Sequence, residues 1–191
     1  MKIFLYTIRE ILEIVISAVL VVIIVHQFLV QPVLVSGSSM EPNFESGDYI
    51  LVNEISYRFR EPQRGEVIVF RFPGDNKTLF IKRVIGLPGE HVVITDGKVE
   101  IFNQQDPKGM VLDETYLPAN IKTTGNVDVT LKNDEYFVLG DNRPASFDSR
   151  QWGTVKKSEI IGDVWMRLWP LNKVSAFETP SYQNQNPLPH H

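Results

Sequence analysis

The sequence predicts a mostly β protein, a folded-over antiparallel β-sheet domain behind a single N-terminal transmembrane helix. Three observations predict it. An apolar run near the N-terminus is long enough to cross a bilayer. Beyond Ser36 the chain breaks into short β-rich runs separated by Gly, Pro, Asn and Asp. No helical pattern of about 10–15 residues alternates with those runs, as a parallel α/β sheet would require.

Residues 1–10 read as a short cytoplasmic N-terminus and 11–30 as the anchor. The anchor, ILEIVISAVLVVIIVHQFLV, has about the 20 residues that a bilayer core demands. Residues 14–25 are apolar on every face apart from Ser17, unlike the single stripe of an amphipathic helix. Glu13 lies one turn from Arg9 and can pair with it. Lys2 and Arg9 precede the run, and no Lys or Arg comes after it until Arg58. This asymmetry puts the N-terminus in the cytoplasm and the remainder outside. Pro32 is expected to stop the helix. Two other readings compete. One is a signal peptide cut at the small-x-small sequence Ser36-Gly37-Ser38, which would sever the anchor from Ser39 and the β-rich chain beyond it. The other is a buried soluble helix, for which the chain offers no helical partner.

Residues 31–172 form the expected extracytoplasmic β domain, with strands over 48–52, 66–72, 78–85, 91–95, 99–102, 127–131, 135–139 and 160–168. Asp96-Gly97 is a hairpin signal of type I′. The stretch 103–126 is rich in turn formers and reads as an excursion from the sheet. Residues 173–191 are polar, lose periodicity and are expected to be disordered. Trp152, Trp165 and Trp169 suit either a core or a lipid surface.

Composition excludes several functions. The formal net charge is −4, and apart from the Lys156-Lys157 pair there is no basic cluster, so nucleic acid is not an expected partner. The absence of cysteine removes disulfides, thiolate metal sites and a Cys nucleophile. His26, His91, His190 and His191 have no ligand spacing, so neither a metal nor a cofactor is expected.

Polar chemistry concentrates in three segments: 36–43 (SGSSMEPN), 80–90 (FIKRVIGLPGE) and 140–153 (GDNRPASFDSRQWG). A serine beside a glycine turn can be held at a fixed, exposed angle, or it can be a plain turn serine. To act as a nucleophile it needs a base within hydrogen-bond reach. His91 opens an apolar strand and reads as an ordinary sheet histidine. Strand alternation puts Lys82 on one face with Phe80 and Val84, and Arg83 on the other with Ile81 and Ile85. Burial without a counter-ion would lower the lysine pKa from its usual ~10.4 toward the ~7–8 that suits a general base. The same residue on an edge strand would simply snorkel to water. Asp141, Arg143, Asp148 and Arg150 can form charge-assisted pairs that stiffen their loop.

Taken together and in this order, the three segments resemble the type I signal peptidases, the Ser/Lys-dyad leader peptidases. The motifs are Ser-Met-x-Pro at 39–42, Lys-Arg-Val-Ile-Gly-x-Pro-Gly at 82–89 and Gly-Asp-Asn-Arg-x-x-Ser-x-Asp-Ser-Arg at 140–150, and the resemblance extends to Asn172. It implies Ser39 as nucleophile, Lys82 as general base and Ser146 as the residue orienting the lysine amine. Asp148 and Arg150 become the supporting pair, with Asp141 and Arg143 as further supports, and the Ser39 N–H an oxyanion donor. Substrate pockets for small side chains would be lined by Val33, Val35, Met40, Phe44, Phe80 and Ile81. The implied activity is removal of signal peptides from exported preproteins by a plasma-membrane enzyme, of bacterial or organellar origin. One departure stands out: Gly37 occupies the place where some relatives carry a serine that donates to the oxyanion. A self-cleaving repressor would need a DNA-binding helix pair where this chain has its apolar run, and a non-catalytic tethered β module would cleave nothing.

Overall fold

A computed structural model describes the backbone over 2–28, 30–180 and Tyr182, with side chains for 7–20 and from 31 onward. Helix α1, Lys2–Phe28, carries the Arg9–Glu13 pair at 2.7 Å. Every described side chain along it, 7–20, is exposed. The span expected over 11–30 therefore lies half outside the described side chains, at 21–30. Among the described residues no helix is long and apolar enough to cross a membrane. The helix ends before Val30, where strand β1, Val30–Leu34, begins. Pro32 sits within β1, which is tolerated because β1 is an edge strand bonded only to β2.

In chain order there come next β2 Tyr49–Asn53, a single helical turn α2 Ser56–Phe59, β3 Val67–Arg71 and β4 Leu79–Gly86. After these lie β5 His91–Thr95, β6 Lys98–Phe102, β7 Met110–Val111, β8 Val127–Thr130 and β9 Glu135–Leu139. The chain then makes α3 Ser149–Trp152, β10 Val155–Lys156, β11 Ile160–Trp169 and β12 Ser175–Ala176. All pairings are antiparallel. A large sheet runs β1-β2-β11-β3-β4-β9-β10, with β12 also on β11, and a four-stranded sheet runs β7-β6-β5-β8. The turn between β5 and β6 has φ of 51° at Asp96 and 80° at Gly97, the paired positive values of type I′.

The large sheet is buried on both faces at its centre. In β3, Val67 and Val69 enter one apolar cluster with Val35, Met40, Phe44, Ile50 and Val52. Their alternates Ile68 and Phe70 enter a second cluster with Val84, Tyr136 and Val138. A third cluster, around Val92, Ile94, Val99 and Ile101, joins the small sheet to Ile85, Phe137 and Leu139.

Four strands escaped the sequence reading: β1, β7, β10 and β12. Three of them are two residues long, too short to show a period. The stretch 173–191, expected to be a disordered tail, is ordered in its first part. Ser175–Ala176 pairs with β11, the Phe177 N–H donates to Trp165 O at 3.0 Å, and Tyr182 is buried at 4% exposure. Two isolated aromatics in a polar run find apolar holes already present on the domain, which requires no periodicity. Residues 181 and 183–191 lie outside the described residues.

Candidate active site

The first polar segment forms a loop closed at its neck. The Val35 N–H donates to Asp48 O at 2.8 Å, and the Gly47 N–H returns to Val35 O at 2.9 Å. Met40 and Phe44 are pegs driven into the core at 1% and 0% exposure, and Arg167 pairs with Asp48 at 2.9 Å. From the other side Asn142 holds the loop twice, its backbone N–H donating to Ser39 O at 3.0 Å and its Nδ2 to Ser38 O at 3.0 Å. Ser39 is thereby fixed half-buried, and its own N–H donates to no described residue. That leaves the N–H free for an incoming acceptor.

Lys82 comes from β4, which lies between β3 and β9. The edge-strand alternative is therefore overturned: Lys82 is 4% exposed and cannot reach water along the sheet margin. Its Nζ is 2.8 Å from Ser39 Oγ and donates to Ile81 O at 2.8 Å. The Phe80 ring lies 5.2 Å from it. Burial pushes the amine pKa down to about 8, against the opposing pull of Asp148 and Asp141. At that value roughly one amine in ten is neutral at pH 7, against fewer than about one in a thousand for a free lysine.

The carboxylates that would otherwise hold the amine charged are engaged elsewhere. Asp141 takes Arg83 in a two-pronged pair at 2.8 and 2.6 Å, and Arg83 also donates to Gly65 O at 2.7 Å. Asp148 takes Arg150 at 2.8 Å through both oxygens, while accepting the Gly140 N–H at 3.1 Å. It also caps α3 in a reciprocal box with Gln151. Arg143 pairs with Glu114 and donates to Gly140 O at 3.0 Å. Of the expected supports, Asp148 and Arg150 thus pair with each other. Asp141 and Arg143 do not; each finds a partner from outside its own segment.

One expected contact is not formed, and one further expectation needs correction. Ser146 makes no hydrogen bond to Lys82: its buried Oγ has no partner among the described residues, and the amine bonds to Ile81 O instead. The Oγ is turned toward Gly140, where an added Cβ would lie 2.2 Å from it and 2.4 Å from Ser39 O. Of the six residues expected to line substrate pockets, Val35, Met40 and Phe44 are core, closed to solvent. They can form only a floor. Val33, Phe80 and Ile81 are half-buried and present surface. His91 stands on the small sheet, bonded to Asp128 at 2.9 Å.

The sequence reading missed Asn142, Gly140, Asn43 and Glu114. Asn142 and Gly140 lie inside the third polar segment, where a glycine ending a strand is a signal of close backbone approach. Asn43, which donates to Asp141 at 2.8 Å, and Glu114 act through contacts distant in sequence and carry no local signal. Chemically, the arrangement is a hydroxyl touching a buried amine of lowered pKa, with a free N–H at the same residue. These are the parts needed for acyl transfer.

Known proteins resemble the chain over most of its length. The family described as signal peptidase, peptidase S26 matches residues 8–169. The chain is 37% identical over 164 residues to a probable signal peptidase I-2 of Synechocystis sp., covering 83% of this chain and 72% of that one. It is 32% identical over 185 residues to signal peptidase IB of Staphylococcus aureus, covering 86% and 93% respectively. A crystal structure of a signal peptidase I from Enterococcus faecalis V583 aligns with a TM-score of 0.45 at 35% identity, over 55% of this chain and 97% of that one.

Proposed function

The chain belongs to the signal peptidases of family S26, serine endopeptidases, and on that premise we propose that it is a membrane-bound enzyme that removes signal peptides from exported preproteins, with Ser39 as nucleophile and Lys82 as general base. The observation that carries this reading is the 2.8 Å contact between Lys82 Nζ and Ser39 Oγ inside a site that depresses the lysine pKa.

In the proposed reaction the neutral amine takes the hydroxyl proton as Oγ bonds to the scissile carbonyl carbon. The carbonyl oxygen gains the negative charge and accepts from the Ser39 N–H. The ammonium then gives its proton to the departing amine, the C–N bond breaks, and an acyl-enzyme remains. Water attacks that ester with Lys82 again as base, freeing Oγ. The unpartnered Ser146 Oγ is the group we assign to steady the amine alongside Ile81 O. Asp141, Arg143, Asp148 and Arg150 keep the surrounding loop rigid.

Small side chains before the cut fit the reading, since Val33 and Ile81 offer shallow apolar surface above a floor of Met40 and Phe44. The exposed apolar side chains of α1 support an anchor, with residues 1–10 in the cytoplasm, 11–30 in the bilayer and the β domain outside. A model preprotein in detergent tests the proposal. Ser39→Ala and Lys82→Ala, both folded, should abolish cleavage, and His91→Ala should leave it intact. Robust cleavage by folded Lys82→Ala would refute the assignment.

A further inference from the structure

Beyond the dyad, one element touches the nucleophile loop without being part of any of the polar motifs. The chain after β11 turns back and crosses the domain as a strap over residues 173–180, with Tyr182 placed just beyond. At its start the Lys173 ammonium straddles both oxygens of Glu45 at 2.8 Å. The strap then pairs with β11 through Ser175 and Ala176. The Phe177 ring packs on Phe44 with centroids 4.4 Å apart, and the Arg167 guanidinium lies 5.7 Å from Phe44 and 5.3 Å from Phe177. That same arginine pairs with Asp48 at the loop's neck and donates to Asn43 O. At the far end Pro180 and Tyr182 close against Gly65, where a Cβ would sit 3.1 and 3.0 Å from them. Between these fastenings the strap arches over a cleft of about 480 Å3 that also reaches Arg83 and Asn43.

We infer that this strap is a positioning element for the nucleophile. Phe177, through Phe44, fixes the depth at which the loop carrying Ser39 sits against Lys82. The loop has supports on two sides: Asn142 holds the Ser39 end, while Phe44 and Glu45, at the other end, lean on Phe177 and Lys173. Phe44 is fully buried, and Phe177 is one of the side chains packed against its cluster. Removing that ring takes away packing on one side of Phe44, and the loop can shift toward the space left. Because the Ser39–Lys82 contact is a single hydrogen bond, a shift of about 1 Å is enough to lower the rate on the order of 10²-fold. Substrate would rest on Val33 and Ile81, which lie outside the loop. Binding is therefore expected to change less than the rate, even though the loop's Met40 and Phe44 form the floor beneath them.

The inference rests on Ser39 being the nucleophile, and the experiment separates the two claims. In the full chain, Phe177→Ala is expected to reduce kcat by at least about tenfold with KM changed by less than about twofold. Phe177→Leu, which refills most of the volume, should restore most of the rate. Assays are run at a temperature where circular dichroism shows every variant fully folded. A second variant needs no core change: Lys173→Glu sets two carboxylates face to face and should lower kcat about threefold, with recovery in the Lys173→Glu, Glu45→Lys double variant. An unchanged kcat in Phe177→Ala overturns the inference, and so does a loss accounted for by its unfolded fraction. If Phe177→Ala does not fold, a Lys173→Glu variant of unaltered kcat overturns it alone. Cleavage surviving in Ser39→Ala would instead sink the assignment of the nucleophile.

Discussion

At the scale of single residues the decisive property is the environment of one amine. Lys82 has a lowered pKa in the folded protein, about 8 against 10.5, so the native state holds its proton less tightly than the unfolded chain. The penalty for keeping it charged is full below pH 8 and vanishes as pH rises from 8 toward 10.5. Two outcomes of opposite sign result. Activity depends on the neutral amine, so kcat/KM should climb with pH and level off above about 8, which a pH–rate profile on a peptide substrate will show. Lys82→Met, although inactive, should be more stable than the parent by about 3 kcal/mol at pH 6, with the gap closing by pH 10. Thermal melts of both proteins at the two pH values measure it. Ser146 gives a complementary case. Its hydroxyl is buried and bonded to nothing described, so Ser146→Ala loses no hydrogen bond and should melt no lower than the parent. A fall in kcat with unchanged melting temperature would then belong wholly to the amine it is assigned to steady.

Elements place these residues, and here the sequence was legible in part. Alternation along β4 separates Lys82 from Arg83 and holds in the structure, and the positive φ values of Asp96 and Gly97 are what that dipeptide demands. What alternation cannot reveal is whether a strand is flanked. Lys82 is buried because β4 is an interior strand, paired with β3 at Lys82 itself and with β9 from Arg83 on, and because the Ser39 loop lies against its amine. These are facts of topology with no local trace. The partners of Arg143 and Asp141 were likewise illegible, since Glu114 and Arg83 reach them from other parts of the chain. Gly140 shows how tightly the elements close. It directly follows β9, and a Cβ there would run into both Ser146 Oγ and Ser39 O; backbone on the Ser39 side cannot yield as a side-chain tip can. Gly140→Ala must therefore push the nucleophile loop away from β4. A loss on the order of 10² in kcat is expected, read in the same cleavage assay, while Gly37→Ala, with open space around it, pays only for its φ of 93° in stability.

At the scale of the whole molecule, the described side chains of α1, residues 7–20, take no part in the cores of the β domain. The domain buries its own cores, whereas the described side chains of α1 remain uncovered, Ile14 at 67% and Ile16 at 59% exposure among them. Apolar side chains left open around a helix are not stabilising the domain behind it; they gain only when something outside the chain covers them. In the proposed function that cover is lipid, and the helix serves to hold the dyad where substrates lie. Shortening the chain to start at residue 29, which spares β1 and its pairing with β2, tests this separation. The melting temperature should not change, and a short soluble peptide should be cleaved within about twofold of the parent rate. Cleavage of a preprotein embedded in vesicles should fall by a factor of about 10² to 10⁴, because enzyme and substrate no longer share one surface and meet only at their bulk concentrations. A lower melting temperature would mean that α1 braces the domain. Equal loss on both substrates would mean that it shapes the site, and either result would displace the anchor as its role.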